Sequence, residues 1–123
     1  MAQYESQLPE TSTKETVLSF IEALNKEDFA QARRLVHDDL TFIGALGTRN
    51  GADAYFADME RMKMKYVIQR AFVEGNDVCL LYDFTIDGIT VFGCGWYQLI
   101  DNRIRSFKVI FDPRPLLEGV NKK

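Results

Sequence analysis

Three tyrosines, Tyr55, Tyr82 and Tyr97, the single histidine His37 and Arg105 are the side chains of this chain whose types and placement suit chemistry on a small molecule. A phenol held in an apolar site orients a carbonyl or hydroxyl, or donates a proton to a developing oxyanion. The competing account makes each tyrosine a core aromatic with a wet hydroxyl. His37 could act as a general base near neutral pH. The spacing puts it at a helix C-terminus, where capping and the helix dipole explain an imidazole equally well. Arg105 could meet a carboxylate with its planar fork, or be a solvated strand-end charge. Asp38 and Asp39 read as turn residues, Asp53 as a first-turn charge, Asp83 as an outward acid, and Asp112 with Arg114 as the fixings of a strand end. The ERMKMK run reads as a solvated helix end. The catalytic assignment stays open, with Tyr82, Tyr97 and His37 as candidates.

Composition narrows what such residues can serve. The chain has 123 residues, 46% of them hydrophobic and 27% charged, with nine Phe, five Tyr and one Trp. That is one domain's worth of chain, able to bury a core but without room for a separate catalytic module. A net charge of −3, with basic and acidic residues interspersed, argues against the positive face a phosphate backbone requires, so no nucleic-acid partner is expected. The segment MAQYESQLPETSTKE lacks a basic n-region and an apolar h-region, and no apolar run is long enough to span a bilayer. A cytoplasmic protein without membrane attachment is expected. Cys79 and Cys94 are the only cysteines, which suits a reducing compartment; with one histidine they supply no metal-ligand spacing, and neither a metal nor a cofactor is expected.

The elements that must position the tyrosines follow from periodicity. A helix is predicted from Thr11–Thr13 to Asn25, on the spacing of Val17, Phe20, Ile21 and Leu24. A second continues through Phe29, Ala32, Leu35 and Val36 and stops at His37-Asp38-Asp39, before a short strand Leu40–Ile43. GALGTRNG reads as a loop, with Asn50 capping a third helix, Gly51 to about Met62, on which Tyr55, Met59 and Met62 share a face. Strands are predicted at 66–74, 78–86, 89–100 and 103–111, and Pro113 and Pro115 end the last one. Helices first and a meander after them make an α+β fold, a curved and mainly antiparallel sheet around the N-terminal helices. The domain is expected over residues 12–118, after a flexible 1–11 and before a tail 119–123.

Register sharpens this. A two-residue turn at Asp87-Gly88 pairs Tyr82 with Gly93 and Leu80 with Gly95. Leu80, Tyr82, Phe84, Val91, Gly93, Gly95 and Tyr97 then share one face, and a three-residue turn at 100–102 adds Arg105, Phe107 and Val109. Two glycines among large aromatics suggest open volume or a sheet that bends. The other face carries Cys79, Leu81, Asp83, Thr85, Thr90, Phe92, Cys94, Trp96, Gln98, Ser106, Lys108 and Ile110, too apolar for solvent, which suggests a homodimer through Leu81, Phe92, Trp96 and Ile110. Cys79 and Cys94 fall on a diagonal and are expected as free thiols.

Three blocks, FIEALNKEDFAQARRLVHDDLTFIG, NGADAYF and WYQLIDNRIRSFKVIFDPRPL, resemble the nuclear transport factor 2-like superfamily, in particular its SnoaL-like, ketosteroid isomerase-like and limonene epoxide hydrolase-like branches. The resemblance implies a cystatin-like cone with an apolar pocket at one end, and frequent homodimers. Members with known chemistry place carboxylates and tyrosines in that pocket. By the resemblance, the isomerase-like base falls near Gly44 and its first-helix tyrosine at Phe20. The hydrolase-like and cyclase-like aspartate falls at Val109, and the Arg-x-Asp pair at Tyr82 and Phe84. None of these can perform the family role.

The expected function is therefore binding of a small, largely apolar molecule. The lining is expected to come from Phe20, Leu24, Phe42, Tyr55, Met59 and Tyr82, and from Phe84, Gly93, Gly95, Tyr97, Phe107 and Val109. Two alternatives stand beside it. One is an isomerase, cyclase or hydrolase with a non-standard acid-base set of Tyr82, Tyr97 and His37. The other is a non-enzymatic dimeric interaction module whose pocket is filled by its own side chains.

Overall fold

A computed structural model describes residues 10–121. Helix α1 (Glu10–Asn25) buries Val17, Phe20, Ile21 and Leu24, the four residues whose spacing predicts it. Asn25 ends the helix by pairing with the backbone of a distant strand. Its amide accepts from Tyr66 N at 2.7 Å and donates to Tyr66 O at 2.9 Å, fixing the helix end beside Tyr66. Helix α2 (Phe29–Arg34) is capped by Asp28, which accepts from Gln31 N at 3.2 Å.

At Val36 the chain departs from the helical reading. Strand β1 (Val36–Gly44) begins there, so His37, Asp38 and Asp39 are strand residues and not a helix end. Val36 continues the helical spacing of Phe29, Ala32 and Leu35 but is a buried strand residue, as is Leu40 on the same face. The strand is irregular between Val36 and Thr41 in its pairing with the last strand. Part of the segment expected as a loop is strand β2 (Gly47–Asn50), antiparallel to β1. All four of its residues are exposed, so no apolar alternation announced it. Helix α3 (Ala52–Met62) is capped by Gly51 and not by an Asn50 side chain; Gly51 holds φ 92°, a conformation that favours glycine.

Strands β3 (Lys65–Glu74), β4 (Asp77–Ile86), β5 (Ile89–Ile100) and β6 (Arg103–Phe111) form the meander, and helix α4 (Arg114–Asn121) follows. Where a tail from 119 was expected, the helix runs to Asn121. Pro115 lies in its first turn, where its missing N–H costs nothing, and the Pro113 carbonyl accepts from Leu116 N and Leu117 N. Most of the segment 1–11, expected to be flexible, and residues 122–123 lie outside the described residues. The sheet is six-stranded in the order β2-β1-β6-β5-β4-β3, curved, and antiparallel except between β1 and β6.

Register follows the sequence reading on β4 and β5: Tyr82 opposes Gly93, Leu80 opposes Gly95, and Asp87 and Gly88 both have positive φ. On β6 the reading needs correction. The turn holds two residues, Asp101 and Asn102, both left-handed, and Arg105 is an extra residue that bulges between Ile104 and Ser106. The bulge keeps Phe107 and Val109 on the inner face but puts Ile104 there in place of Arg105. Arg105 instead donates to Asp39 O at 2.8 Å and pairs with Asp39 Oδ2 at 3.3 Å. Helices α1 and α3 cover the inner face. Phe20 sits fully buried at the centre, with the rings of Tyr55, Phe56, Tyr97 and Phe107 at 6.0–6.4 Å.

Candidate binding cavity and its rim

The covered face is not filled to its end. Between α3, the β1–β2 turn and the strands lies a cavity of about 240 Å³. It exceeds the roughly 150 Å³ that holds a benzene ring and falls below the roughly 300 Å³ at which drug-sized sites begin. A ring with a short chain is the right scale.

Seven of the twelve residues expected to line a pocket do so: Phe42, Tyr55, Met59, Tyr82, Phe84, Phe107 and Val109. Phe20, Leu24, Gly93, Gly95 and Tyr97 do not. Phe20 and Leu24 are 0% and 1% exposed and form the packed floor behind the cavity. The volume over the glycines is occupied. A Cβ at Gly95 would meet the Tyr82 hydroxyl at 2.8 Å and the Tyr97 hydroxyl at 2.9 Å, and one at Gly93 would meet the Phe84 ring at 3.1 Å. The glycines make room for the protein's own aromatics, and the open space lies further toward the mouth. His37 lies away from the cavity, its Nε2 at 2.8 Å from the Ile100 carbonyl oxygen, to which it donates when protonated there.

The residues missed from sequence include Tyr66, Met62, Met64, Ile86 and Phe111, and three charged ones, Arg49, Asp58 and Arg61. Tyr66 opposes Phe84 in the β3–β4 ladder, so extending the register by one more strand would have found it. Asp58 follows Tyr55 by three positions on α3, within the same helical face. Arg49 gave no such signal, because β2 was not recognised. Met59, Met62 and Met64 give part of the wall an adaptable, polarisable surface.

The interior chemistry is phenolic. Tyr82 and Tyr97 hydroxyls lie 3.4 Å apart, and Tyr66 donates toward the Met64 sulfur at 3.7 Å. Burial pushes the Tyr55, Tyr82 and Tyr97 phenols above their ordinary range, and Tyr66 moves the same way for the same leading cause. These groups are neutral hydrogen-bonding groups at neutral pH and not bases. Of the positions where the resemblance places the family's functional side chains, Gly44, Tyr82, Phe84 and Val109 line the cavity and Phe20 does not. The one carboxylate in the lining is Asp58, between Arg49 Nε at 2.6 Å and Arg61 Nη2 at 3.1 Å. Desolvation acts to raise its pKa, but the hydrogen bonds from Arg49 and Arg61 prevail and hold it below the ordinary range. It is a poor base.

Elsewhere, Cys79 and Cys94 are free thiols on the outer face, diagonal across β4 and β5 with their sulfurs 3.2 Å apart, and burial pushes Cys94 up to about 11. Among the described residues no three His, Cys, Asp or Glu side chains converge as a metal site would require, and no helix is long and apolar enough to cross a membrane.

The model for the SnoaL-like domain matches residues 17–107. A nuclear transport factor 2-like protein of unknown function from Cytophaga hutchinsonii is 48% identical, with 85% of this chain and 94% of that one covered and a TM-score of 0.84. A Kribbella flavida protein is 26% identical over 91% of this chain and 96% of its own, at a TM-score of 0.82. A limonene epoxide hydrolase-like enzyme of Mycobacterium tuberculosis, 23% identical with 92% of both chains covered and a TM-score of 0.77, shares the fold. No curated protein matches the chain. With a family match over most of its length and the cone architecture around a cavity, this chain belongs to the SnoaL-like domain family.

Proposed function

We propose that this protein binds a small, largely apolar molecule in the cavity. The observation that carries this reading is the cavity itself: about 240 Å³ left open inside an otherwise filled domain, walled by methionine and aromatic side chains and by Tyr55, Tyr66 and Tyr82. Apolar contact supplies most of the affinity in such a site, and a few fixed polar groups set orientation. Turnover has weaker support. The interior phenols can polarise a carbonyl. No lining group is poised to take a proton, since Asp58 is held low and His37 lies outside the cavity. The enzymatic alternative, with Tyr82, Tyr97 and His37, therefore lacks a base at the ligand.

Native mass spectrometry of the purified protein, compared with solvent extracts, tests the binding reading. A discrete small-molecule adduct is expected, absent from a Val109→Trp variant that fills the cavity. A protein that carries nothing and shows no heat of binding with 4-phenylbutan-1-ol contradicts it.

The same reading includes a homodimer through the outer face of the sheet, on which Leu81, Phe92, Trp96 and Ile110 lie. Phe92, Trp96 and Ile110 are exposed there together with Val67 and Phe72, five large apolar side chains on a face that also carries Asp83 and Lys108. A two-fold pairing of that face with itself would cover it in both copies.

A further inference from the structure

The rim of the cavity carries a charge imbalance that the apolar interior does not explain. Arg49 on β2 and Arg61 on α3 both line the cavity, and both reach the same carboxylate, Asp58, at 2.6 and 3.1 Å. Among the described residues Asp58 is the only carboxylate shared by two arginines. Arg33, by contrast, has two carboxylates, Asp38 and Asp53, and Arg105 and Arg114 have one each. The rim thus holds two positive charges against one negative. Asp58 engages Nε of Arg49 and Nη2 of Arg61, and Arg49 Nη1 goes to Thr48 O. A guanidinium offers five N–H donors in a planar fork, so donors remain on both arginines. The Arg61 side chain is 70% exposed while that of Asp58 is 24% exposed. Asp58 is the anchored member that holds the two guanidinium groups at the opening.

We propose that the ligand is an amphiphile carrying a carboxylate, seated with its apolar body in the cavity and its carboxylate at the rim between Arg49 and Arg61. The inference rests on the binding reading above and adds the ligand's charge and its direction of entry. A carboxylate suits the place because planar guanidinium forks donate to its two oxygens in pairs, and because the anion stays close to solvent while only the apolar part is desolvated. The opposite orientation, with the anion among the phenols, would bury a charge with no cation near it. Asp58 is a positioning residue in this scheme.

A matched pair of probes of the right scale, 4-phenylbutanoate and 4-phenylbutan-1-ol, separates this inference from the reading beneath it. Isothermal titration calorimetry at low salt is expected to show the acid binding roughly tenfold more tightly than the alcohol, as charge-assisted hydrogen bonds warrant. That preference should shrink as salt rises. In the double variant Arg49→Gln/Arg61→Gln the preference for the acid over the alcohol should be lost, and far-ultraviolet circular dichroism with the denaturation midpoint shows that the variant is folded. Equal binding of acid and alcohol to the natural protein, or an acid preference that survives the double variant, overturns the carboxylate inference and leaves the binding reading intact. Failure of both probes to bind the natural protein counts against the binding reading and removes the basis for the inference.

Discussion

The inner and outer faces of the sheet are built from the same strands, and they meet different fates. On β5 the alternate residues Val91, Gly93, Gly95, Tyr97 and Leu99 are buried, while Phe92, Trp96 and Ile100 between them are exposed. Both sets are apolar, so hydrophobicity does not distinguish the faces. What distinguishes them is the cover: α1 and α3 lie over one face, while among the described residues Phe92, Trp96 and Ile110 on the other stay exposed. Where the helices cover fully, side chains fill the space down to the glycines. Where α3 and the β1–β2 turn reach past the packed floor, the cavity opens.

This contrast can be broken most forcefully at the centre of the covered face. Phe20→Ala is expected to cost about 3–5 kcal/mol of stability, because the ring is fully enclosed by four aromatic neighbours and its space cannot collapse. Urea denaturation measures it, and a loss under about 1 kcal/mol would mean that the floor is loosely packed.

High pH probes the same face through its phenols. Their folded-state pKa values are raised above the unfolded value of about 10, led by burial. The unfolded chain therefore releases protons first. The stabilisation is fully present below pH ~10 and declines above it, by about 1.4 kcal/mol per buried phenol for each pH unit until the folded phenols ionise. Unfolding curves between pH 9 and 11, paired with ultraviolet titration of phenolate, follow it. Tyrosines that ionise near pH 10 in the folded protein would show that the interior is wet.

A smaller effect tests the glycine. Gly95→Ala places a Cβ within 2.7 Å of the Tyr97 ring and 2.8 Å of the Tyr82 hydroxyl, and is expected to cost about 1–3 kcal/mol through overpacking. An unchanged denaturation midpoint would mean that the two rings move aside freely.

The outer face should respond least in stability and most in mass. Ile110, 72% exposed, lies on the uncovered side, so Ile110→Lys is expected to change the stability of the fold by no more than about 0.5 kcal/mol. If a second copy covers this face, light scattering will show the natural protein as a dimer and the variant shifted to monomer. Identical masses for the two, at a concentration where the natural protein is dimeric, would place the interface elsewhere.

Much of this was legible in the chain because β4 and β5 alternate strictly and meet at an Asp-Gly turn, which fixes partner and face together. Tyr82 and Phe84 could be placed on the cavity for that reason, and Tyr55 and Met59 by the helical face they share. The misreadings have a common physical origin in departures from periodicity. Val36 continues the helical spacing of Phe29, Ala32 and Leu35, yet it opens β1, which is irregular as far as Thr41. The Arg105 bulge moves a charge from the expected inner face to Asp39. The exposed β2 carries no apolar pattern at all.

The sequence by itself determined the α+β class, the central register and the apolar character of both sheet faces, since each depends on residue type and local spacing. Only the tertiary structure decided that the space over Gly93 and Gly95 is filled, that the cavity lies toward the mouth, and that Arg49, Asp58 and Arg61 meet there. Those outcomes depend on how far side chains from separate elements reach, and on bulges that shift register by one residue, neither of which local spacing encodes.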